Sequence, residues 1–122
     1  TMSDNNSLKA WEAEIRKNAL LNMRPREHPY KGPVQVSLRF ALLRPKAHYK
    51  AGKLRPDAPE AYACVTRGRH DIDKLTRAVL DGLTGTMYED DSQVTQVTAI
   101  KTWSHHRNLD SFVEIAVEKI GR

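Results

Sequence analysis

The sequence predicts a small α+β single domain: a mixed β-sheet of about four strands, an N-terminal helix, and a central helix that carries an acidic motif. Three observations predict it. Apolar residues recur at helical spacing in two segments, 8–19 and 72–83. Apolar and polar residues alternate over Val34–Leu42 and again over Phe112–Lys119. Helical and strand patterns are interleaved along the chain, the mark of a layered mixed domain. With 122 residues there is room for one domain and a modest core. At 39% hydrophobic and 29% charged residues, the chain is too apolar to be disordered.

The elements follow in order. Residues 1–7 are polar and expected to fray. Ser7 can cap a helix that runs to about Met23, with Leu8, Trp11, Ile15 and Ala19 as its apolar stripe. That stripe is expected to serve core or dimer packing. Pro25 and Pro29 bracket a basic linker. Val34, Val36, Leu38, Phe40 and Leu42 alternate with Gln35, Ser37, Arg39 and Ala41, which makes the clearest strand. Residues 44–56 carry Pro, Gly and many cations without periodicity, and read as a long functional loop. Residues 62–66 are expected to form a short strand. Residues 71–84 read as a helix with Ile72, Leu75, Val79 and Leu83 on one face and Gly85 as its C-terminal cap. Val94–Trp103 and Phe112–Lys119 read as strands joined by a turn at 105–108. Glu114 is expected to face away from Val113 and Ile115.

Charge narrows the function. The net charge is +5 and the pI about 9.5. Lys and Arg outnumber Asp and Glu across residues 44–77, and the balance reverses from Ala78 onward. A basic middle beside an acidic cluster suggests a surface that grips polyanions next to a metal site. A plain solvated face is the competing reading. Arg44, Lys46, Lys50, Lys53 and Arg55 can hold phosphates, and His48 and Tyr49 can stack on bases. Arg67 and Arg69 extend the basic set up to the acidic motif. The lone Cys64 excludes an internal disulfide and a Cys-based zinc site, and fits a reducing cytoplasm. No apolar run approaches membrane-spanning length, and no signal peptide is expected. The histidines lack metal-binding spacing, and there is no Gly-rich phosphate loop or nucleophile elbow.

The acidic residues carry the chemistry. Asp71 and Asp73 diverge by about 200° if both are helical. They converge if Asp71 lies before the helix and Asp73 in its first turn, where the helix N-terminus favours negative charge. Plain helix capping explains that pair as well. Asp90 and Asp91 shift the balance. They follow a turn, open the next strand, and can return to the start of the helix. Clustered carboxylates repel unless a proton, an arginine or a metal ion sits between them. Oxygen ligands suit a hard divalent cation such as Mg²⁺. Arg77, four residues after Asp73, and Lys74, three after Asp71, can hold a scissile phosphate, stabilise developing charge, or form ordinary surface salt bridges. Asp81, deeper in the helix, reads as structural.

The run Asp71-Ile72-Asp73-Lys74, followed by Asp90-Asp91-Ser92-Gln93-Val94, resembles the RusA-type Holliday junction resolvase family. That family has an Asp-x-Asp-(Asn or Lys) motif opening a helix and an Asp-Asp-x-Gln-Val motif opening a strand. Arg44-Pro45-Lys46-Ala47-His48-Tyr49 resembles phage-encoded members. The similarity runs over residues 34–117. It implies a dimeric, Mg²⁺-dependent endonuclease, with Mn²⁺ able to substitute and no small-molecule cofactor. Its substrate would be four-way DNA, nicked symmetrically on two opposed strands during recombination and repair in a bacterial cytoplasm. By position, the family's essential aspartates fall on Asp71, Asp73 and Asp91, and Asp90 matches a less critical acid. The family's catalytic lysine falls on Arg77. Arginine keeps the charge but, with a pKa above about 12, cannot readily exchange a proton. Phosphate binding then falls to Arg77, or Lys74 takes the lysine's place. His70 stands where many relatives have proline. The alternative is a non-catalytic nucleic-acid-binding protein whose acids cap helices.

Overall fold

The computed structural model describes residues 29–66, 70–104 and 111–121. The expected N-terminal helix with Trp11 and Ile15, the turn at 105–108, and Arg67 and Arg69 lie outside the described residues. The described part is a mixed three-stranded sheet covered by one helix, with a two-stranded ribbon beside it.

β1 (Val34–Leu42) is the central strand. It pairs in parallel with β4 (Val94–Trp103) and antiparallel with β5 (Phe112–Lys119). Its alternation assigns its two faces. Val34, Val36, Leu38 and Phe40 point inward and are at most 3% exposed. On the other face, Gln35 donates to Glu118 at 2.8 Å and Arg39 pairs with Glu114 at 2.6 Å, both across the β1–β5 register. Glu114 thus faces as expected, and Arg39 holds its carboxyl below the usual range.

α1 (Ile72–Leu83) covers the inward face. Leu75, Ala78, Val79, Gly82 and Leu83 are buried along one stripe, with small residues where helix and sheet press together. Each large apolar side chain buried there contributes about 1.5–3 kcal/mol. Phe40→Ala would leave a cavity costing roughly 3–5 kcal/mol. Ile72 departs from expectation: the helix's first residue is 39% exposed and lines a cleft instead of the core. After Gly85, at φ 88°, the chain doubles back along the helix. The buried Tyr88 hydroxyl donates to the Leu80 carbonyl at 2.9 Å, and burial pushes its pKa to about 12.

Two regions differ from the sequence reading. Residues 62–66 are not a strand. Val65 N–H bonds back to the Ala63 carbonyl and curls the chain, and β4 meets this stretch at Trp103, whose backbone N–H donates to Ala61 O and whose indole N–H donates to Ala63 O, and through the Lys101 side chain at Thr66. Residues 44–56 are more ordered than a loop. A 3-10 turn (Lys46–His48) leads into a hairpin of β2 (Tyr49–Lys50) and β3 (Lys53–Leu54). Ala51 and Gly52, at φ 51° and 80°, make its two-residue turn. Two successive left-handed residues match the twist of the flanking strands.

Candidate active site

Asp71 stands at the N-cap of α1 in extended backbone, φ −62° and ψ 140°, yet its side chain makes no capping hydrogen bond. Asp73 follows in the first turn. This is the arrangement needed for both carboxylates to leave the helix in a common direction. Asp71 is delivered by a clamp. Lys101 Nζ on β4 donates to Thr66 Oγ1 at 2.6 Å and to the His70 carbonyl at 3.2 Å. Thr66 Oγ1 also donates to that carbonyl, at 3.2 Å. The residue so held, His70, has φ 54°, a left-handed conformation that proline cannot adopt. Sequence alone gives no sign of this role for Lys101, since its partners come from elements far apart in the chain.

The second acidic motif divides its labour. Asp90 caps the 3-10 turn Asp91–Gln93 by accepting the Ser92 backbone N–H at 3.0 Å. Bonds from the Ser92 side chain and backbone hold its carboxyl below the usual range. Asp90 thus serves the turn as a cap and does not turn toward the start of the helix. Gln93 fixes the motif in place. Its Oε1 accepts from the Glu89 and Asp90 N–H groups at 2.8 and 2.9 Å. Its Nε2 donates to the Tyr30 and Gly32 carbonyls at 2.9 and 2.8 Å. Asp91 is exposed, and among the described residues its carboxylate forms no hydrogen bond or salt bridge.

These elements meet at a cleft of about 470 Å³ between α1 and β4. Asp73, Asp81, Asp91 and Arg77 line it, over an apolar base that includes Leu80 and Ala99. Asp71 and Lys74 do not line it. Asp81, read from sequence as structural, shares the cleft because it lies two helical turns beyond Asp73 on the same face. Among the described residues, neither Arg77 nor Lys74 forms a salt bridge. No three His, Cys, Asp or Glu side chains stand close enough to hold a metal ion among the described residues. Carboxylates with no cation between them repel, so an open spacing is the expected state of such a set. The donor chemistry fits a hard divalent ion: the available groups are carboxylate oxygens, three of them lining one cleft and a fourth uncapped at the helix start.

The expected phosphate-binding residues separate into two groups. Lys46, Lys50 and Lys53 are exposed, and Lys50 and Lys53 sit opposite each other on the ribbon, a like-charged pair that suits a polyanion. Arg44 and Arg55 are engaged. Arg44 donates to the Pro59 carbonyl at 2.6 Å, and Arg55 pairs with Asp57 at 3.1 Å. His48 is half-buried and meets Trp103 edge to face at 5.2 Å, rather than standing free to stack. Tyr49 is half-buried on β2.

The family model described as Endodeoxyribonuclease RusA matches residues 1–118. No curated protein and no solved structure matches the chain. Among the described residues, no helix is long and apolar enough to cross a membrane. A match over nearly the whole chain agrees with the helix-opening and strand-opening acidic motifs: the chain belongs to the RusA family of metal-dependent endodeoxyribonucleases, which resolve Holliday junctions in recombination and repair.

Proposed function

We propose that Asp71, Asp73 and Asp91 hold a Mg²⁺ ion, replaceable by Mn²⁺, and that Arg77 works beside them on the scissile phosphate. The observation that supports this most is the pairing of Asp73 and Asp91 across one cleft with Arg77, while Asp71 stands uncapped at the start of the same helix. A divalent ion bound there supplies Lewis-acid stabilisation and lowers the pKa of a bound water. Arg77, fixed on the helix wall, offers a planar two-pronged donor to phosphate oxygens and stabilises charge that develops on them. Lys74, exposed one residue from Asp73, can contact the neighbouring backbone. Lys46, Lys50 and Lys53, with Arg67 and Arg69, guide the flanking duplex.

The enzyme is further proposed to act as a homodimer in the bacterial cytoplasm. A four-way junction presents two equivalent strands, and a two-fold symmetric protein places one site at each. The reading of a non-catalytic binder is not favoured, because the chain belongs to an endonuclease family and Asp71 makes no cap.

The test is cleavage of a labelled four-way junction beside matched duplex and single strand, with Mg²⁺, Mn²⁺ or EDTA. Paired symmetric nicks in the junction are expected with Mg²⁺ and none with EDTA. Asp73→Asn is expected to bind the junction and fail to cut it. Normal cutting by that variant would overturn the metal-centre assignment.

A further inference from the structure

Among the described residues, Tyr62 is the most exposed of the large apolar side chains, at 81%. One exposed tyrosine on a loose surface loop is ordinary. The backbone under this one is fastened on both sides. Arg44 Nη1 donates to the Pro59 carbonyl at 2.6 Å. Ala63 N–H donates to the Glu60 carbonyl at 2.9 Å and closes a turn over residues 60–63, with Tyr62 at its third position. Trp103 holds both neighbours of Tyr62. Its backbone N–H donates to Ala61 O at 2.9 Å, and its indole N–H donates to Ala63 O at 3.1 Å. Trp103 is itself buried, in a small core with Leu42 and Cys64. The backbone of the turn is therefore ordered before any ligand arrives, and only the two torsions of the tyrosine ring remain to be fixed on binding.

We propose that Tyr62 stacks on a base laid open at the branch point of the DNA and so favours a junction over plain duplex. The inference builds on the branched substrate of the family and goes beyond the metal-centre reading, on which it does not depend. A ring this exposed offers its faces, and base–aromatic stacking accepts any base. Continuous duplex covers both faces of each base pair with its neighbours. A branch interrupts that stack, and a base that has lost its partners costs least to expose. Cationic charge stands at the foot of the turn, from Arg44 on Pro59 and from the exposed Lys46, where it can hold the adjoining phosphates. The exposed Glu60 within the turn repels a phosphate at the ring itself, which suits a base face there rather than the backbone. β4 ties the ring to the chemistry. It carries Trp103 at one end, and its Val97 and Ala99 line the acidic cleft, Ala99 lying four strand residues, about 13 Å, before Trp103.

The test uses the full chain in EDTA, so that strands stay intact, with a four-way junction and a matched duplex. Tyr62→Ala is expected to weaken junction binding about tenfold, the scale of one lost base–aromatic stack, and to leave duplex binding unchanged. Tyr62→Phe, which keeps the ring and loses the hydroxyl, should bind the junction like the wild type. With 5-iodouracil at successive positions around the crossover, irradiation should crosslink a branch-point position to the peptide containing Tyr62. Unchanged junction binding by Tyr62→Ala, an equal loss on junction and duplex, a Tyr62→Phe variant as weak as Tyr62→Ala, or crosslinks that avoid this peptide at every position would overturn the proposal. A wild-type chain that binds junction and duplex alike would overturn it too. Because no metal is present, failure here leaves the metal centre standing, and cutting by Asp73→Asn would overturn the metal centre without touching this claim.

Discussion

Asp90 and Asp71 occupy the same kind of position, the residue before a helical turn, and only Asp90 caps. Asp90 accepts the Ser92 N–H, while the Gln93 side chain closes the box from the other side. Asp71 forgoes the roughly 1 kcal/mol that a capping aspartate contributes. Its approach is set instead by the Lys101–Thr66 clamp on the carbonyl of His70. The comparison separates two uses of one residue type. A carboxylate satisfied by its neighbours builds the fold, and one held away from its natural donors is available for chemistry. The same division runs through the pair Asp90 and Asp91, one bound and one uncommitted.

The sharpest way to break this comparison is to remove the charge at Asp71. Asp71→Asn is expected to cut cleavage by more than about 100-fold, beyond the usual cost of losing a group that only supports a metal ligand. The melting temperature without metal should stay level or rise, since a repulsive charge goes and no cap is lost. A clear fall in melting temperature would mean that Asp71 stabilises the helix after all.

A smaller effect is expected from the clamp. Lys101→Met takes the donor from Thr66 Oγ1 and leaves the His70 carbonyl with the Thr66 hydroxyl alone, at a stability cost of about 1–2 kcal/mol. Asp71 should then be poorly placed, so the rise in melting temperature on adding Mn²⁺ should shrink as well. An unchanged Mn²⁺-induced rise would show that the clamp serves stability alone.

The smallest effect belongs to Asp90. Asp90→Ala should lower the melting temperature by a few degrees and leave cleavage nearly intact. The pH dependence has a fixed sign. The Asp90 carboxyl is depressed in the fold, so its contribution is full above the unfolded value, about 3.9, and is lost as pH falls through the folded value. Asn keeps the cap without the charge. An acid melting series on Asp90→Asn should therefore lack that component, and an identical acid profile would refute the sign.

Local periodicity made much of the fold legible. The alternation in β1 and β5 and the 3.6-residue stripe of α1 mark which faces are buried, and those elements formed where the pattern put them. What was not legible depended on partners distant in sequence. Residues 62–66 have strand-like composition, but Val65 N–H turns back to the Ala63 carbonyl and the backbone there curls on itself. The ribbon was hidden because Ala51-Gly52 lacks the Asn or Asp that usually announces such a turn. The acidic motifs could be read as letters, and Gln93 was read as part of one. That Gln93 staples the motif to Tyr30 and Gly32, and that Lys101 reaches His70, are facts of tertiary contact. Asp81 shared a helix face with Asp73 by spacing, yet only the packing of β4 against that face put it in the cleft.

The most direct test of the central claim uses adjacent residues. Asp90→Asn and Asp91→Asn should be compared on one labelled four-way junction, with cleavage rate and binding measured for each in Mg²⁺. Asp90→Asn is expected to cut at close to the wild-type rate, and Asp91→Asn to bind the junction without cutting it. Equal activity in the two variants would contradict the division between carboxylates that build the fold and carboxylates kept for catalysis.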